Sequence, residues 1–241
     1  MRKLPLTLAA ALLGLGGLPA TAAADFERGI TAFRSGDVET AVEEWKASAA
    51  DGHALSAYLL GNLYMNGQGV PASDALAFSY FTQAAEMGNS DAQVRLAQYY
   101  LTGIPDIELE RDYLKALDWF DKAALKFNPE AQYYLGKMHR NGLGVPRSRV
   151  EGMRWLLLSA KKGYVPAFLE LARIYAKGEG IAEEPVEGAM YLNLAKKLGT
   201  DEEREQANAL QDQLKGIFSA DVRLQGEARA RQWLEARKSR G

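Results

Sequence analysis

The chain has 241 residues, 47% hydrophobic and 25% charged, a balance that fits a folded soluble protein and excludes extended disorder or a polytopic membrane protein. A formal charge of -2 leaves no basic excess for neutralising phosphates, so nucleic acid is not an expected partner. There is no cysteine, which rules out disulfides, thiolate nucleophiles and thiolate metal sites.

Residues 1–24 have the layout of a secretory signal peptide. Arg2 and Lys3 precede the uncharged apolar run Leu4–Leu18, and Pro19-Ala-Thr-Ala-Ala-Ala24 follows before Asp25. Interrupted by Pro5, Gly14, Gly16 and Gly17, the run is short against the roughly 20 apolar residues that span a bilayer. Small-x-small sites at Ala20-Thr21-Ala22 and Ala22-Ala23-Ala24 are the expected cleavage points. The mature protein is therefore expected to be periplasmic or secreted, with no membrane span left after cleavage.

Next comes an apparent partial repeat over 25–53. Phe26–Ser35 and Val38–Ala50 read as two helices joined at Gly36-Asp37, the second carrying Trp45, Ala49 and Ala50.

From 54 to 199 the chain repeats itself. Ala131-Gln-Tyr-Tyr-Leu-Gly-Lys-Met-His-Arg-Asn-Gly142 recurs at 56–67, 92–103 and 167–178, aligning Leu60, Leu96, Leu135 and Leu171. Gly61, Ala97, Gly136 and Ala172 form a second column, and Tyr64, Tyr100, His139 and Tyr175 a third. A further set, Tyr80, Trp119, Trp155 and Tyr191, is followed four residues later by Ala84, Ala123, Ser159 and Ala195. The columns predict helix-turn-helix units at about 54–88, 89–127, 128–163 and 164–199. In the first helix a small residue beside leucine admits a neighbouring helix; in the second, the aromatic is expected to fill space in an adjacent unit. Gly67-Gln-Gly69, Gly142-Leu-Gly144 and Gly178-Glu-Gly180 supply stops after the first helices. Gly52, Gly88, Gly163 and Gly199 stop the second helices, with Asn128-Pro129 standing in once. The second copy lacks Gly-x-Gly and inserts a loop at Ile104-Pro105-Asp106.

Residues 200–241 change character. The helices expected there, rich in charge yet carrying Leu210, Leu214, Val222, Trp233 and Leu234, suit a cap that closes a stack with a polar outer face. Asp201-Glu-Glu203 at the start and Arg237-Lys238 at the end agree with the helix dipole.

The chain contains no phosphate loop, no Gly-x-Ser-x-Gly elbow and no His-Glu-x-x-His helix. Its two histidines, His53 and His139, are far apart in sequence, and His139 occupies a packing column. No catalytic residue, cofactor or metal ligand is therefore assigned.

The columns resemble the Sel1-like repeat (SLR) family, relatives of the tetratricopeptide repeat, with Ala131–Pro146 and Trp155–Gly163 closest to the family pattern. His139 for tyrosine and Lys196 for the second alanine are departures. The resemblance implies an all-α, right-handed α-solenoid of tetratricopeptide-like helix-turn-helix repeats, closed by a C-terminal capping helix pair. It also implies a non-enzymatic interaction scaffold, exported in this case, whose partner is a protein or cell-envelope material. The alternative is an envelope protein that binds or hydrolyses peptidoglycan or a β-lactam. Some exported relatives linked with β-lactams carry paired cysteines in every repeat, and this chain has none.

If the first helices line the concave side, as in tetratricopeptide repeats, residues between the packing columns face a groove. The expected partner-binding residues are Tyr58, Asn62, Gln98, Tyr133, Lys137, Arg140, Arg173 and Lys177. The four basic side chains suggest an acidic or amide-rich segment as the bound partner.

Overall fold

The computed structural model describes residues 20–239, so the apolar run Leu4–Leu18 lies outside the described residues. Among those described are twelve α-helices and no strand, an all-α fold in agreement with the sequence. They are α1 (Ala20–Ser35), α2 (Val38–Ala50), α3 (Ala54–Asn66), α4 (Asp74–Glu86), α5 (Ser90–Thr102) and α6 (Tyr113–Leu125). There follow α7 (Pro129–Asn141), α8 (Arg149–Lys161), α9 (Val165–Lys177), α10 (Pro185–Leu198), α11 (Asp201–Gln213) and α12 (Ala220–Lys238). No helix among the described residues is long and apolar enough to cross a membrane. Two compact units divide the chain: Met1–Leu96 with Ile104–Leu109, and Ala97–Gly103 with Glu110–Gly241.

The second helices α2, α4, α6 and α8 each start on a capping side chain, whereas α10 starts at Glu184 without one. The oxygens of Asp37, Ser73, Asp112 and Ser148 accept from the backbone N–H three residues ahead, at 2.9 to 3.3 Å. These caps satisfy an amide that helix geometry leaves without a partner, each contributing about 1 kcal/mol. They form one more column in register with the repeat.

In the first unit, α1 pairs with α2 and α3 with α4. Gly61 lies so close to Phe81 that a Cβ would sit 2.6 Å from Phe81 Cδ1, and Gly29 meets the Trp45 indole in the same way. Trp45 and Phe81 are both fully buried. The pair formed by α1 and α2 therefore uses the same glycine-against-bulk contact as the pair that follows it. The two expected cleavage sites fall within α1, where Ala22 is buried and its carbonyl accepts from Ser48 Oγ at 2.6 Å.

The contact corrects one expectation. Tyr80, Trp119, Trp155 and Tyr191 are not the residues that close the seam: all four are half-buried, and the next residue in each helix, Phe81, Phe120, Leu156 or Leu192, is the one buried to 2% exposure or less. One step along a helix turns the side chain by about 100°, and it is the later position that points at the small residue of the partner helix. Where the aromatic column makes stacking contacts, they lie within its own pair: Tyr80 stacks on Tyr64 and Tyr191 on Tyr175, with ring centroids 5.7 Å apart in both.

Ile104–Leu109, where the second copy lacks Gly-x-Gly, folds back through paired backbone hydrogen bonds between Ile104 and Leu109 and packs near α4. In the first copy, Gly67 caps α3 in the left-handed conformation, while Gly69 approaches Val38 at the start of α2.

The second unit repeats the scheme. A Cβ on Gly136 would lie 2.7 Å from Leu156 Cγ. A Cβ on Gly144 would lie 2.8 Å from the Tyr113 carbonyl, and Gly180 abuts Arg149. The second glycine of Gly-x-Gly is thus a contact with the preceding pair as well as part of a helix stop. The turn between α6 and α7 also departs from expectation: Phe127 holds the left-handed φ of 60°, while Asn128 caps α7 by accepting from Glu130 N and Ala131 N. Gly199 is extended, not left-handed; a Cβ there would meet the Ala195 carbonyl at 2.6 Å. At the end of the chain, α11 starts in a capping box and α12 packs along α10, with Gly226 against Ala189 and Trp233 edge-on to Phe168.

Candidate functional site

The eight residues singled out from the sequence divide between the units. Tyr58 and Asn62 lie on α3 in the first; the other six belong to the second. Tyr58 is half-buried with its ring 5.9 Å from Phe81, and the Asn62 amide donates to the Tyr58 carbonyl of its own helix.

In the second unit, Gln98 donates to Glu130 at 2.8 Å. Tyr133 is half-buried between Tyr134 and Tyr164, and burial pushes its hydroxyl pKa up to about 12. Lys137 holds its ammonium 5.3 Å from the Tyr133 ring centroid. Lys177 is exposed at the end of α9.

Arg140 and Arg173 are not available as expected. Arg140 is buried, its stem packed over Gly152, and it donates to the carbonyl and carboxylate of Glu179 at 3.3 and 3.4 Å. Arg173 bridges Glu170 at 2.6 Å and the other Glu179 oxygen at 3.2 Å. Burial lowers the Arg140 pKa, and the charges of Glu170 and Glu179 oppose that shift. The basic half of the expected groove is thus largely neutralised from within. Glu170, three residues before Arg173, was legible as a helix-spaced ion pair. Glu179, the middle residue of Gly178-Glu-Gly180, was not, because only the fold brings that turn against α7.

Beside Lys137 lies an open cleft of about 330 Å³ formed by the end of α5, the start of α6 and α7. Leu101, Met138 and Leu143 give it apolar wall, and Arg111, Tyr113, Lys137 and Asn141 give it polar groups. Arg111 donates to the Tyr113 hydroxyl at 3.0 Å. Among the described residues, no three His, Asp or Glu side chains gather as metal ligands.

Helix pairs joined at glycine-against-bulk seams, with polar side chains left on the first helices, define a helical-repeat protein. The Sel1 repeat pattern matches residues 54–89, 90–126, 129–164 and 167–200, and the chain belongs to that family. Among its relatives is an exopolysaccharide production negative regulator of Rhizobium meliloti (strain 1021), 32% identical over 59% of this chain and 57% of the relative. Chitin synthase regulatory factor 3 of Schizosaccharomyces pombe is 35% identical over 54% of this chain and 14% of its own length. The chain therefore spans little more than half of the first relative and a small part of the second. Similar solved structures include a protective antigen of uropathogenic Escherichia coli displaying an SLR fold, with a TM-score of 0.76 and 26% identity, covering 89% of this chain and 45% of that one. A Sel1 repeat protein from Oxalobacter formigenes has a TM-score of 0.70 at 23% identity, covering 91% and 88%.

Proposed function

We propose that this protein is an exported, non-catalytic interaction module that holds a protein partner on its repeat surface. The carrying observation is the distribution of its side chains: the bulky ones close seams between helices, and polar and aromatic residues such as Lys137, Lys177 and Tyr133 stay partly exposed on the first helices. The relatives' names point the same way, since they are called regulators and regulatory factors. Export rests on the layout of residues 1–24.

Two measurements test the reading. Fractionation of cells expressing the full chain with a C-terminal tag, followed by N-terminal sequencing, should find a protein shortened near Ala22 or Ala24 outside the cytoplasm. An intact Met1 form confined to the cytoplasm would overturn export. Purified protein should show no turnover of muropeptides or of a chromogenic β-lactam beyond a heat-denatured control, and turnover would overturn the non-catalytic assignment.

A further inference from the structure

Most arginines whose interactions are resolved in this structure are spent on carboxylates of the chain itself: Arg28, Arg140, Arg154, Arg173, Arg204 and Arg229 all form ion pairs. Arg111 and Lys137 differ. No carboxylate of the described residues lies within ion-pair distance of either, and both line the cleft at α5, α6 and α7. Their contacts are with aromatic rings and a phenol: Arg111 with Tyr113, and Lys137 with Tyr133.

The cleft lies where the repeats are least regular. Its α5 wall ends at Thr102, just before the irregular segment that replaces Gly-x-Gly, and Arg111 is the last-but-one residue before α6. Tyr113 is held there because its backbone carbonyl packs on Gly144, which fixes the start of α6 against the turn after α7. Met138, 1% exposed, forms part of the apolar wall, with Leu101 and Leu143 half-buried beside it. Asn141, exposed at the last position of α7, adds an amide able to donate and accept.

We propose that this cleft is the recognition subsite of the repeat surface, and that it takes an extended stretch of a protein partner carrying acidic side chains next to an apolar residue. The inference rests on the interaction-module reading above and names the partner's chemistry. Charge complementarity carries it: two cations without an internal counter-charge border an apolar floor, and removing both from water beside two carboxylates gives charge-assisted hydrogen bonds of the stronger kind. An internal acidic stretch fits better than a chain terminus, because one terminal carboxylate supplies a single charge against two cations. Arg140 and Arg173, already bound to Glu170 and Glu179, take no part.

The test uses the purified full chain and a random 12-residue peptide library displayed with both ends blocked, so that no terminal carboxylate is offered. Selected peptides should be enriched in Asp or Glu beside Leu, Ile, Val or Met. A selected peptide, labelled and followed by fluorescence polarisation, should bind about tenfold or more weakly once its acids are changed to amides, and weaken as salt rises. Arg111→Gln with Lys137→Gln should weaken binding similarly, and Arg111→Glu with Lys137→Glu should abolish it, with helical circular dichroism unchanged. Lys161→Glu, on the exposed end of α8, should leave it intact. Selected peptides without acidic enrichment, or binding indifferent to the paired Gln variant, would overturn the cleft assignment and leave the interaction module standing. A selection that yields no binding peptide would overturn both.

Discussion

Arg140 reaches from α7 to the turn after α9 and donates to Glu179 through both its backbone carbonyl and its carboxylate. The side chain is 9% exposed and the Glu179 side chain 32%, so the bond ties two consecutive repeats at a largely dry position. Truncating Arg140 to Ala should therefore cost about 2–3 kcal/mol, combining lost packing over Gly152 with the loss of both bonds to Glu179, whose carboxylate keeps only Arg173. Glu179→Gln, which keeps the carbonyl acceptor, should cost about 1 kcal/mol. Urea denaturation followed by circular dichroism measures both, and equal losses would show that the carboxylate carries the contact alone.

Gly61 and Gly136 should not tolerate a methyl group. Alanine is worth about 1 kcal/mol over glycine inside a helix, yet the added Cβ would lie 2.6 Å from Phe81 or 2.7 Å from Leu156. Overpacking of this kind costs about 1–3 kcal/mol, so Gly61→Ala and Gly136→Ala should each be net destabilising, by up to about 2 kcal/mol. Trimming the partner should recover part of the loss. Gly136→Ala with Leu156→Val is expected to unfold at higher urea than the sum of the single changes predicts, and strict additivity would refute the contact.

Phe127 should be the reverse case. Its φ of 60° is left-handed, and the equivalent turns carry Gly52, Gly88 and Gly163 at φ near 90°. The ring is 68% exposed, with Lys162 Nζ 5.5 Å from its centroid as compensation. A left-handed non-glycine residue costs about 1–2 kcal/mol. Replacing Phe127 by Gly should therefore raise the melting temperature by roughly 2–4 °C for each kcal/mol regained. A lower melting temperature would mean that the ring contributes more to the fold than its exposure implies.

In the uncleaved chain, which keeps Ala22, the stability of the first unit should fall in mild acid. Ser48 Oγ donates to the Ala22 carbonyl and Ser56 Oγ donates to Ser48 Oγ at 2.8 Å. His53 Nδ1 lies 2.8 Å from Ser56 Oγ and accepts from the Ser56 backbone N–H at 3.3 Å, capping α3 as a neutral ring that protonation at Nδ1 would deprive of its acceptor. Burial lowers the His53 pKa below its ordinary 6.5, with Glu27 opposing. Between the folded and unfolded pKa values the unfolded chain binds the extra proton, so the contribution is complete above about 6.5 and lost as pH drops through the folded value. Unfolding measured at pH 7.5 and 5.5 should show a smaller pH-linked loss for His53→Asn, which keeps a capping side chain, than for the unsubstituted protein.

The candidate site was only partly legible. Lys137 was visible because it lies between packing columns of a first helix, and the fold leaves it on an open cleft. Arg140 and Arg173 satisfied the same spacing rule but are consumed by Glu170 and Glu179. Spacing along one helix reports which face a side chain occupies; it says nothing about which turn of the next repeat arrives opposite. Arg111 and Tyr113 lay in the irregular stretch of the second copy, where periodicity offered no column to read. The seam was read one residue early for a similar reason: tryptophan and tyrosine stand out in a column, whereas the phenylalanine or leucine after them does the filling.

The amino-acid order alone determined that the chain is helical, how long each repeat is and where most of its turns fall. Periodic small and bulky residues, glycine after a helix end and capping oxygens before one act within about a turn of where they sit. Which bulky residue meets each glycine, which arginines are neutralised and where a cation is left without a partner were decided by tertiary structure. Those outcomes depend on distances between residues some twenty to forty positions apart, and only the packed helices set them.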